Sequence, residues 1–295
     1  MKIAILGSTG YLGTRIVSRF AANPANEIVC VHRANSNLNE LNRIKGNLSY
    51  CLSDYISLKA CFSESAPPCD VIINASCSYM RGASEEQIME SNMIFPLRVL
   101  NLALNNPLSQ GDLQYISIGT GLPDDFNIYT FSKSQLNEIG RFFADRKKLR
   151  YINLVLQNYY GPYEQQGRFL ADCIAKLERN EPIRLTHGEQ KRDFIYVDDV
   201  VDAIELIANH KELPNYLDVP LGSGEAPSIK ELISYLKRIT GSSSELLWGA
   251  IPLRPNEPSI CADLSIYHLL GGKITYDWKS GMKHMLEEMN YEIVD

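Results

Sequence analysis

The chain opens with a short apolar run followed by three glycines at fixed spacing. Residues 3–6 are apolar and mostly branched, and Gly7, Gly10 and Gly13 come next. Such a run predicts a buried parallel strand, and the glycines predict a sharp turn into a helix that begins near Tyr11. Gly7 permits the turn, Gly10 lets a pyrophosphate approach the main chain, and Gly13 lets the helix lie close to the strand. The alternative is an ordinary strand-to-helix turn, but the order of strand, glycines and helix favours a dinucleotide site.

The composition restricts the partners and the location of the protein. With 295 residues, of which 45% are apolar, the chain can bury a large core. A formal charge of −6 argues against general affinity for nucleic acid, so an anionic ligand needs a few placed Arg or Lys residues. No apolar run approaches the roughly 20 residues of a membrane span, and Met1 leads straight into the first strand, which predicts a cytoplasmic protein without membrane contact. The seven cysteines and five histidines lack metal-ligand spacing, so we expect no metal site.

The end of the second predicted strand, residues 27–32, is where NAD and NADP are told apart. An acidic residue at this position binds the 2′-hydroxyl of the adenosine ribose, whereas a cation suits a 2′-phosphate. This chain has His32 followed by Arg33. The sequence therefore favours NADP(H), with NAD(H) as the other cofactor to consider, and the alternative is that Arg33 is a solvated loop residue.

Two further predicted strands carry polar residues at their carboxyl ends, where an open parallel sheet binds its ligand. Residues 48–52 are followed by Asp54, which either accepts a hydrogen bond from the adenine amine or caps the next helix, and the two roles are compatible. Residues 70–74 form the next strand. We expect the residues at its end, Asn74, Ala75 and Ser76, to lie under the cofactor.

A polar residue, Asn92, interrupts the apolar part of a long helix predicted from about residue 84 to residue 105. A buried Asn must be hydrogen-bonded. We count Asn92 among the cofactor-binding residues, with hydrogen-bonded support of the sheet as the alternative. Pro96 predicts that the helix is kinked or restarts at that point.

A second group of polar residues follows the fifth predicted strand, residues 113–118. Thr120 comes just after this strand, Tyr129 stands nine positions later, and Lys133 four positions after that. On a helix predicted from residue 129 to residue 146, positions i and i+4 share one face, so the phenol and the ammonium lie one turn apart. A nearby cation and the helix N-terminus both lower the pKa of a phenol from its usual value of about 10. Tyr129 could then exchange a proton at neutral pH while Thr120 hydrogen-bonds the same substrate oxygen.

These motifs together resemble those of a known family. Over essentially its whole length the chain is similar to the extended short-chain dehydrogenases/reductases, the nucleotide-sugar epimerase and dehydratase group. The residues that carry the resemblance are Gly7, Gly10, Gly13, Thr120, Tyr129 and Lys133. Residues 91–94, 118–123, 158–162 and 186–195 are similar to segments of the bacterial CDP-paratose and CDP-abequose synthases. Those enzymes use NADPH to reduce the 4-keto group of a CDP-3,6-dideoxyhexulose during the synthesis of O-antigen sugars.

The resemblance implies a role for each residue of the site. Tyr129 donates a proton to the carbonyl oxygen, Lys133 holds the cofactor ribose and lowers the phenol pKa, and Thr120 orients the carbonyl. The residues expected to bind the cofactor are Gly7, Thr9, Gly10, Tyr11, Leu12, Gly13, Arg33, Asp54, Asn74, Ala75, Ser76, Asn92, Tyr129 and Lys133.

The residues expected to bind the substrate come later and are Asn158, Arg168, Arg192, Arg254 and Glu257. Asn158 begins a turn that the resemblance places over the nicotinamide and beside the sugar. Arg192 presents a planar guanidinium suited to a diphosphate, with a salt bridge to the next residue as the alternative. Arg254 and Glu257 match family positions that contact the diphosphate and the nucleotide ribose. For Arg168, a substrate contact and a surface role are equal alternatives.

We expect an α/β fold with a Rossmann-type, doubly wound parallel sheet and a smaller C-terminal substrate-binding lobe. Residues 1–160 should form the dinucleotide-binding domain, with a return around residues 194–220, and residues 161–295 should form most of the substrate lobe. The predicted function is NADPH-dependent reduction of the 4-keto group of a nucleotide-linked deoxyhexulose. The family suggests a homodimer.

Two other functions stay open. A nucleotide-sugar 4-epimerase would keep NAD bound and return the hydride to the opposite face of the sugar, and Arg33 counts mildly against it. The second alternative is a non-catalytic dinucleotide-binding sensor, although such proteins usually lose the tyrosine or the lysine. A dehydratase is disfavoured because Gly121 and Leu122 stand where dehydratases of the family usually have an Asp-Glu pair.

Overall fold

A computed structural model describes residues 1–63, 66–79, 82–109, 112–253 and 258–294. The chain forms two compact units. The first unit comprises residues 1–155 and 201–219, and the second comprises residues 156–200 and 220–295. The sequence placed this boundary at residue 160 and the return at residues 194–220. No helix in the described ranges has the length and apolar character needed to cross a membrane.

Strands and helices alternate through the first unit, as the apolar periodicity of the sequence predicts. The strands are β1 (Lys2–Leu6), β2 (Glu27–His32), β3 (Asn47–Leu52), β4 (Val71–Asn74), β5 (Gln114–Ile118), β6 (Arg150–Leu156), β7 (Asn158–Tyr160), β8 (Ile183–Arg184), β9 (Phe194–Tyr196), β10 (Tyr216–Leu221) and β11 (Leu246–Leu247). The helices are α1 (Tyr11–Ala21), α2 (Tyr55–Phe62), α3 (Glu85–Met89), α4 (Phe95–Leu104), α5 (Ile128–Asp145), α6 (Phe169–Glu178), α7 (Val197–Asn209), α8 (Ile229–Ile239), α9 (Ser265–Leu269) and α10 (Trp278–Glu288).

The first unit is built on a seven-stranded sheet in the order β10-β6-β5-β4-β1-β2-β3. The strands from β3 across to β6 pair in parallel, and Ile5 of β1 lies opposite Cys30 on one side and Ile73 on the other. The chain moves outward from β1 to β3, then returns to β4 and builds the other half of the sheet. This reversal creates a crevice at the carboxyl ends of β1 and β4, where doubly wound sheets bind ligands. The predicted Rossmann-type fold is confirmed.

The first strand, at the centre of this sheet, is apolar and buried along residues 3–6. Residues 3–6 of β1 have no exposed surface, as expected for a central parallel strand covered on both faces. Tyr115 and Tyr151 on neighbouring strands are also fully buried, and their rings stack with centroids 5.4 Å apart. Gly140 of α5 faces the ring of Tyr151 so closely that a Cβ would overlap it. A glycine at this position therefore lets α5 lie directly on the sheet.

The long helix predicted between residues 84 and 105 consists of three parts. α3 leads into a π-helical turn at Glu90–Ile94, and α4 follows with Pro96 in its first turn. A proline at this position breaks no hydrogen bond within α4, because the first-turn N–H groups have no intrahelical acceptor. The π turn carries Asn92, which has no exposed surface.

Within the described residues, the second unit contains two small sheets of two short strands each, together with helices that are longer than these strands. β7 pairs in parallel with β9, and β8 pairs in parallel with β11. Residues of α6, α8 and α10, including Ile174, Leu232 and Met282, form an apolar cluster together with Tyr160 of β7. β7 was not predicted, because the sequence of its three residues was interpreted as a turn.

A buried carboxylate connects three segments of the second unit. Asp193, just before β9, has no exposed surface. It accepts hydrogen bonds from the backbone N–H groups of Ser223 (2.6 Å), Gly224 (3.3 Å) and Ala262 (3.0 Å). A buried charge is tolerated when it is hydrogen-bonded in this way, so Asp193 fixes the loops after β10 and before α9.

We expect Gly140→Ala to destabilise the protein even though alanine has the higher helix propensity. The new Cβ would overlap the buried ring of Tyr151, and overpacking costs about 1–3 kcal/mol, whereas the propensity gain is at most about 1 kcal/mol. Urea unfolding of the variant and the wild type measures the difference. Glu138→Ala on the exposed face of α5 is the control and should change the unfolding free energy by less than about 0.5 kcal/mol. Equal stability of the two variants would contradict the packing described.

Candidate active site

Gly7 closes the turn between β1 and α1, with a φ of +74° in the left-handed region. A Cβ on Gly7 would lie 2.9 Å from the backbone of Ser76, and a Cβ on Gly13 would overlap the carbonyl oxygen of Gly7. Any residue other than glycine would therefore be strained or would push these segments apart. β1, the turn and α1 thus have the close packing that the three glycines predict.

The N-terminus of α1 follows this turn directly and has no side-chain cap. Gly10 is the N-cap residue, no side chain in the described part of the chain caps it, and the first turn of α1 contains no acidic residue. The positive end of the helix dipole therefore favours an anion at this position. Thr9 and Tyr11 are partly exposed beside it, whereas Leu12 belongs to the core.

Arg33 lies in an exposed turn at the carboxyl end of β2. Its backbone N–H donates to the hydroxyl of Ser36 (3.2 Å), and its carbonyl accepts from the N–H of Ser36 (3.0 Å). Within the described ranges, its guanidinium makes no hydrogen bond or ion pair. The side chain is thus available for an added phosphate at the position where the sequence predicts one.

Asp54 caps α2. One carboxylate oxygen accepts from the backbone N–H of Ser57 (3.0 Å) and the other from its hydroxyl (2.7 Å). These hydrogen bonds lower the pKa of Asp54, because they favour the charged carboxylate. The capping role is therefore present, and the contact with adenine stays a prediction.

The end of β4 packs against the glycine turn. Ala75 donates its N–H to the carbonyl of Leu6 (3.0 Å). Asn74 is fully buried, and its Oδ1 accepts from the N–H (3.2 Å) and the hydroxyl (2.6 Å) of Ser76. Its Nδ2 has no hydrogen-bond partner among the described residues. An unpaired buried donor is uncommon, and this one lies where the strand order of the sheet reverses.

Asn92 supports the site from behind. Its Oδ1 accepts from the N–H of Ser78 (2.7 Å), and its Nδ2 donates to the carbonyl of Ser78 (3.0 Å) and the hydroxyl of Ser132 (3.0 Å). Because Asn92 has no exposed surface, it acts by holding the loop after β4 against α5. This corresponds to the supporting role that the sequence left as the alternative to cofactor binding.

Thr120 lies in the loop after β5, and Tyr129 lies in the first turn of α5. The hydroxyl of Thr120 accepts from the N–H of Leu122 (3.3 Å). Asn127 caps α5 through reciprocal hydrogen bonds with Thr130 (3.0 and 3.1 Å). This capping box sets the start of the helix, which places Tyr129, 8% exposed, in the first turn.

Lys133 lies on the same face of α5, one turn after Tyr129, and is buried. Its Nζ donates to the carbonyls of Ile118 (3.0 Å) and Ser76 (3.2 Å). Burial lowers the pKa of Lys133, because it removes water from the ammonium. The ammonium thus joins the carboxyl ends of β4 and β5 to α5, and its effect on the phenol of Tyr129 stays a prediction.

The sequence analysis missed one aromatic residue next to Tyr129. The rings of Tyr79 and Tyr129 have centroids 4.4 Å apart and planes inclined by 34°. Tyr79 lies in the loop after β4, and 42% of its surface is exposed. No motif or periodicity marks Tyr79, because the contact joins segments separated by 50 positions in the chain.

Asn158 and Arg192 lie in the second unit. The backbone N–H and the side-chain amide of Asn158 both donate to the carbonyl of Asp193 at 3.2 Å. Arg192 is 8% exposed, and its Nη1 donates to the carbonyls of Lys191 (2.8 Å) and Pro258. The sequence analysis named Asp193 as the alternative salt-bridge partner of Arg192. The carboxylate of Asp193 accepts hydrogen bonds from backbone N–H groups, as described above.

Arg168 also lies in the second unit, at the N-cap of α6. Its Nε is 3.0 Å from a carboxylate oxygen of Glu164, and its guanidinium lies 5.0 Å above the ring of Tyr159. Arg254 and Glu257 lie outside the described residues. Their predicted contacts with the substrate stay predictions.

A Rossmann-type sheet, a glycine turn at its first strand, and a Tyr-Lys pair after its fifth strand together define a dinucleotide-dependent enzyme of the short-chain dehydrogenase/reductase class. Comparison with known families agrees with this assignment. The model of the NAD dependent epimerase/dehydratase family matches residues 3–222, and the chain belongs to that family. Nicotinamide dinucleotides are the cofactors of the family.

Known proteins that match nearly the full chain include two enzymes of nucleotide-sugar metabolism. The CDP-abequose synthase of Salmonella typhimurium is 28% identical over 302 residues, which cover 97% of this chain and 98% of that protein. The putative UDP-glucose 4-epimerase of Methanocaldococcus jannaschii is 23% identical over 308 residues, with 97% and 98% covered. Among solved structures, the UDP-glucose 4-epimerase of Thermotoga maritima has a TM-score of 0.83 at 21% identity and covers 98% of this chain and 99% of its own. This last likeness shows that the fold is shared.

We expect the stability of the protein to depend on Lys133 at alkaline pH. Its pKa in the folded protein lies below the unfolded value of about 10.4. Between the two values the unfolded chain binds more protons, so the free energy of unfolding rises with pH. Lys133→Met removes this titration, and the wild type should therefore gain stability relative to the variant as the pH rises towards about 10.4. Urea unfolding of both proteins across this range tests the prediction, and a difference independent of pH would contradict it.

Proposed function

We propose that this enzyme catalyses the NADPH-dependent reduction of the 4-keto group of a nucleotide-linked deoxyhexulose. The observation that carries the proposal is the grouping of Thr120, Tyr129 and Lys133 at the carboxyl end of β5, beside the crevice between β1 and β4. Similarity over nearly the whole chain to a CDP-abequose synthase supports a nucleotide sugar as the substrate.

The first unit suits a dinucleotide in three respects. Gly7 and Gly13 let β1, the turn and α1 pack closely together, the N-terminus of α1 favours an anion, and Asn74 has a buried donor with no partner in the described ranges. Arg33 adds a cation where a 2′-phosphate would lie, which favours NADP(H) over NAD(H). When bound, the reduced nicotinamide supplies the hydride for the carbonyl carbon.

The residues of α5 and the β5 loop handle the proton. Tyr129 donates its phenolic proton to the carbonyl oxygen as the alcohol forms, and Thr120 hydrogen-bonds the same oxygen and orients the carbonyl. Lys133 has three N–H donors, of which two serve backbone carbonyls, and the third suits a ribose hydroxyl of the cofactor. Its positive charge also stabilises the negative charge that develops on the phenol one helical turn away.

Residues of the second unit are proposed to bind the nucleotide and the sugar. Arg168 and Arg192 supply cations suited to a diphosphate, and Asn158 is proposed to contact the sugar. Arg254 and Glu257 are proposed to contact the diphosphate and the nucleotide ribose. We also propose that the enzyme works as a homodimer, as the family suggests.

A second candidate function is a 4-epimerase with tightly bound NAD. The likeness to a putative UDP-glucose 4-epimerase over nearly the full length favours it. A reductase consumes one NADPH for each ketosugar converted, whereas an epimerase turns over without added cofactor. Following the absorbance of NADPH alongside the sugar product decides between the two.

We expect Tyr129→Phe to lower turnover by about 10²- to 10⁴-fold and to leave NADPH binding unchanged, because the variant loses only the proton donor. Turnover is measured by the loss of NADPH absorbance with a CDP-linked 4-ketodeoxyhexulose, and binding by NADPH fluorescence. Tyr115→Phe is the matched control, since it removes a core hydroxyl that has no partner among the described residues. An active Tyr129→Phe enzyme would disprove the assigned proton donor.

We expect Arg33→Ala to weaken the binding of NADPH by about 10- to 100-fold and to leave the binding of NADH unchanged, because a charge-assisted hydrogen bond to the 2′-phosphate is lost. Fluorescence titration with each cofactor measures the effect. Arg43→Ala is the control, because Arg43 is also exposed to solvent but pairs with Glu40 (2.7 Å). An equal loss of affinity for both cofactors would show that Arg33 does not read the 2′-phosphate.

A further inference from the structure

The loop after β4 is held in place by hydrogen bonds to its backbone. The carbonyl of Ser76 accepts from Nζ of Lys133 (3.2 Å). The N–H and the carbonyl of Ser78 both bind the side chain of Asn92 (2.7 and 3.0 Å). Lys133 and Asn92 are buried, so water does not compete for these bonds. The backbone is therefore fixed up to the residue that precedes Tyr79.

The same network holds the helix turn that carries Tyr129. Nδ2 of Asn92 donates to the hydroxyl of Ser132 (3.0 Å), and that hydroxyl donates to the carbonyl of Tyr129 (2.7 Å). Both sides of the contact between Tyr79 and Tyr129 are thus tied to one buried amide. The contact between the two rings is built into the protein before a substrate binds.

The side chain of Tyr79 is exposed, whereas that of its neighbour Tyr129 is almost entirely buried. Tyr129 is 8% exposed, whereas Tyr79 is 42% exposed. With centroids 4.4 Å apart and planes inclined by 34°, the two rings are in contact and tilted relative to each other. The proposed mechanism uses the phenol of Tyr129 and leaves the exposed ring of Tyr79 without a role.

We propose that Tyr79 is a specificity-determining residue, whose ring forms a wall beside Tyr129 that favours a ketosugar without a hydroxyl on the carbon next to the carbonyl. The inference rests on the proposed function, because it requires the carbonyl oxygen to lie at the phenol of Tyr129. With the carbonyl oxygen there, a sugar carbon bonded to the carbonyl carbon would lie beside the ring of Tyr79, whose centroid is 4.4 Å from that of Tyr129.

The apolar surface of the ring explains the preference. A methylene group packs against such a surface at no cost, whereas a hydroxyl loses water that the ring carbons do not replace with a hydrogen bond. Discrimination of this kind reaches about 10- to 100-fold. The ring provides the selectivity, so phenylalanine should replace Tyr79 in this role and a small polar side chain should not.

The test uses two CDP-linked 4-ketosugars, a 3,6-dideoxy sugar and its 6-deoxy counterpart that keeps the 3-hydroxyl. Wild type and Tyr79→Phe should favour the 3-deoxy sugar in kcat/KM by about 10-fold or more, and Tyr79→Ser should show less than about 3-fold preference. Tyr50→Ser, at a tyrosine of matching exposure (43%), is the control and should keep the wild-type preference. Thermal unfolding checks that each variant is folded. An unchanged preference in Tyr79→Ser, or a lost preference in Tyr79→Phe, would overturn the inference.

Binding of the same sugars in the presence of NADP⁺ separates this inference from the reaction, because dissociation constants require no turnover. If the wild type consumes no NADPH but binds the 3-deoxy sugar more tightly in a Tyr79-dependent way, the reduction is wrong and the role of Tyr79 holds. If the wild type reduces the sugar and Tyr79→Ser discriminates as well as the wild type, the proposed reduction is supported and the proposed role of Tyr79 in specificity is wrong. Failure of the wild type to discriminate in either measurement would also overturn the role of Tyr79.

Discussion

The buried ammonium of Lys133 is the interaction on which the site in the first unit depends. A charge removed from water needs polar partners, and here they are the carbonyls of Ser76 and Ile118. Ser76 packs against the glycine turn, and Ile118 ends the strand before Thr120. One side chain therefore fixes the glycine turn, the loop after β4 and the helix of Tyr129 together. Such preorganisation is what positions catalytic groups accurately.

The second unit uses a buried charge of the opposite sign for a similar purpose. The carboxylate of Asp193 collects backbone N–H groups from Ser223 and Ala262. In addition, its carbonyl accepts two hydrogen bonds from Asn158, one of the residues proposed to bind substrate. In each unit, one charged side chain thus holds together loops that are distant in sequence. It does so through hydrogen bonds to their backbone rather than through apolar packing.

Features set by local spacing could be predicted from the sequence, and features set by contacts between distant segments could not. The turn at Gly7 and the position of Lys133 one turn after the phenol follow from short, regular patterns. Tyr79 was missed because its importance comes from a ring contact across 50 positions. The substrate contact of Arg192 stays a prediction, and its hydrogen bond to the carbonyl of Pro258, 66 positions further along the chain, could not be predicted from local spacing. The hydrogen bonds between Asn92 and Ser78 could not be predicted either, because Asn92 lies in a π turn that the sequence did not indicate.

The π turn at Glu90–Ile94 makes the length of this stretch as important as its composition. A π turn contains one residue more than regular α-helix needs for the same advance along the axis. Deleting one residue here would restore regular helix and rotate the following side chains by about 100° relative to the preceding ones. Asn92 would then point away from Ser78 or α4 would lose its register on the sheet. Homologous chains that keep this site should therefore tolerate exchanges of side chain in this region far better than insertions or deletions.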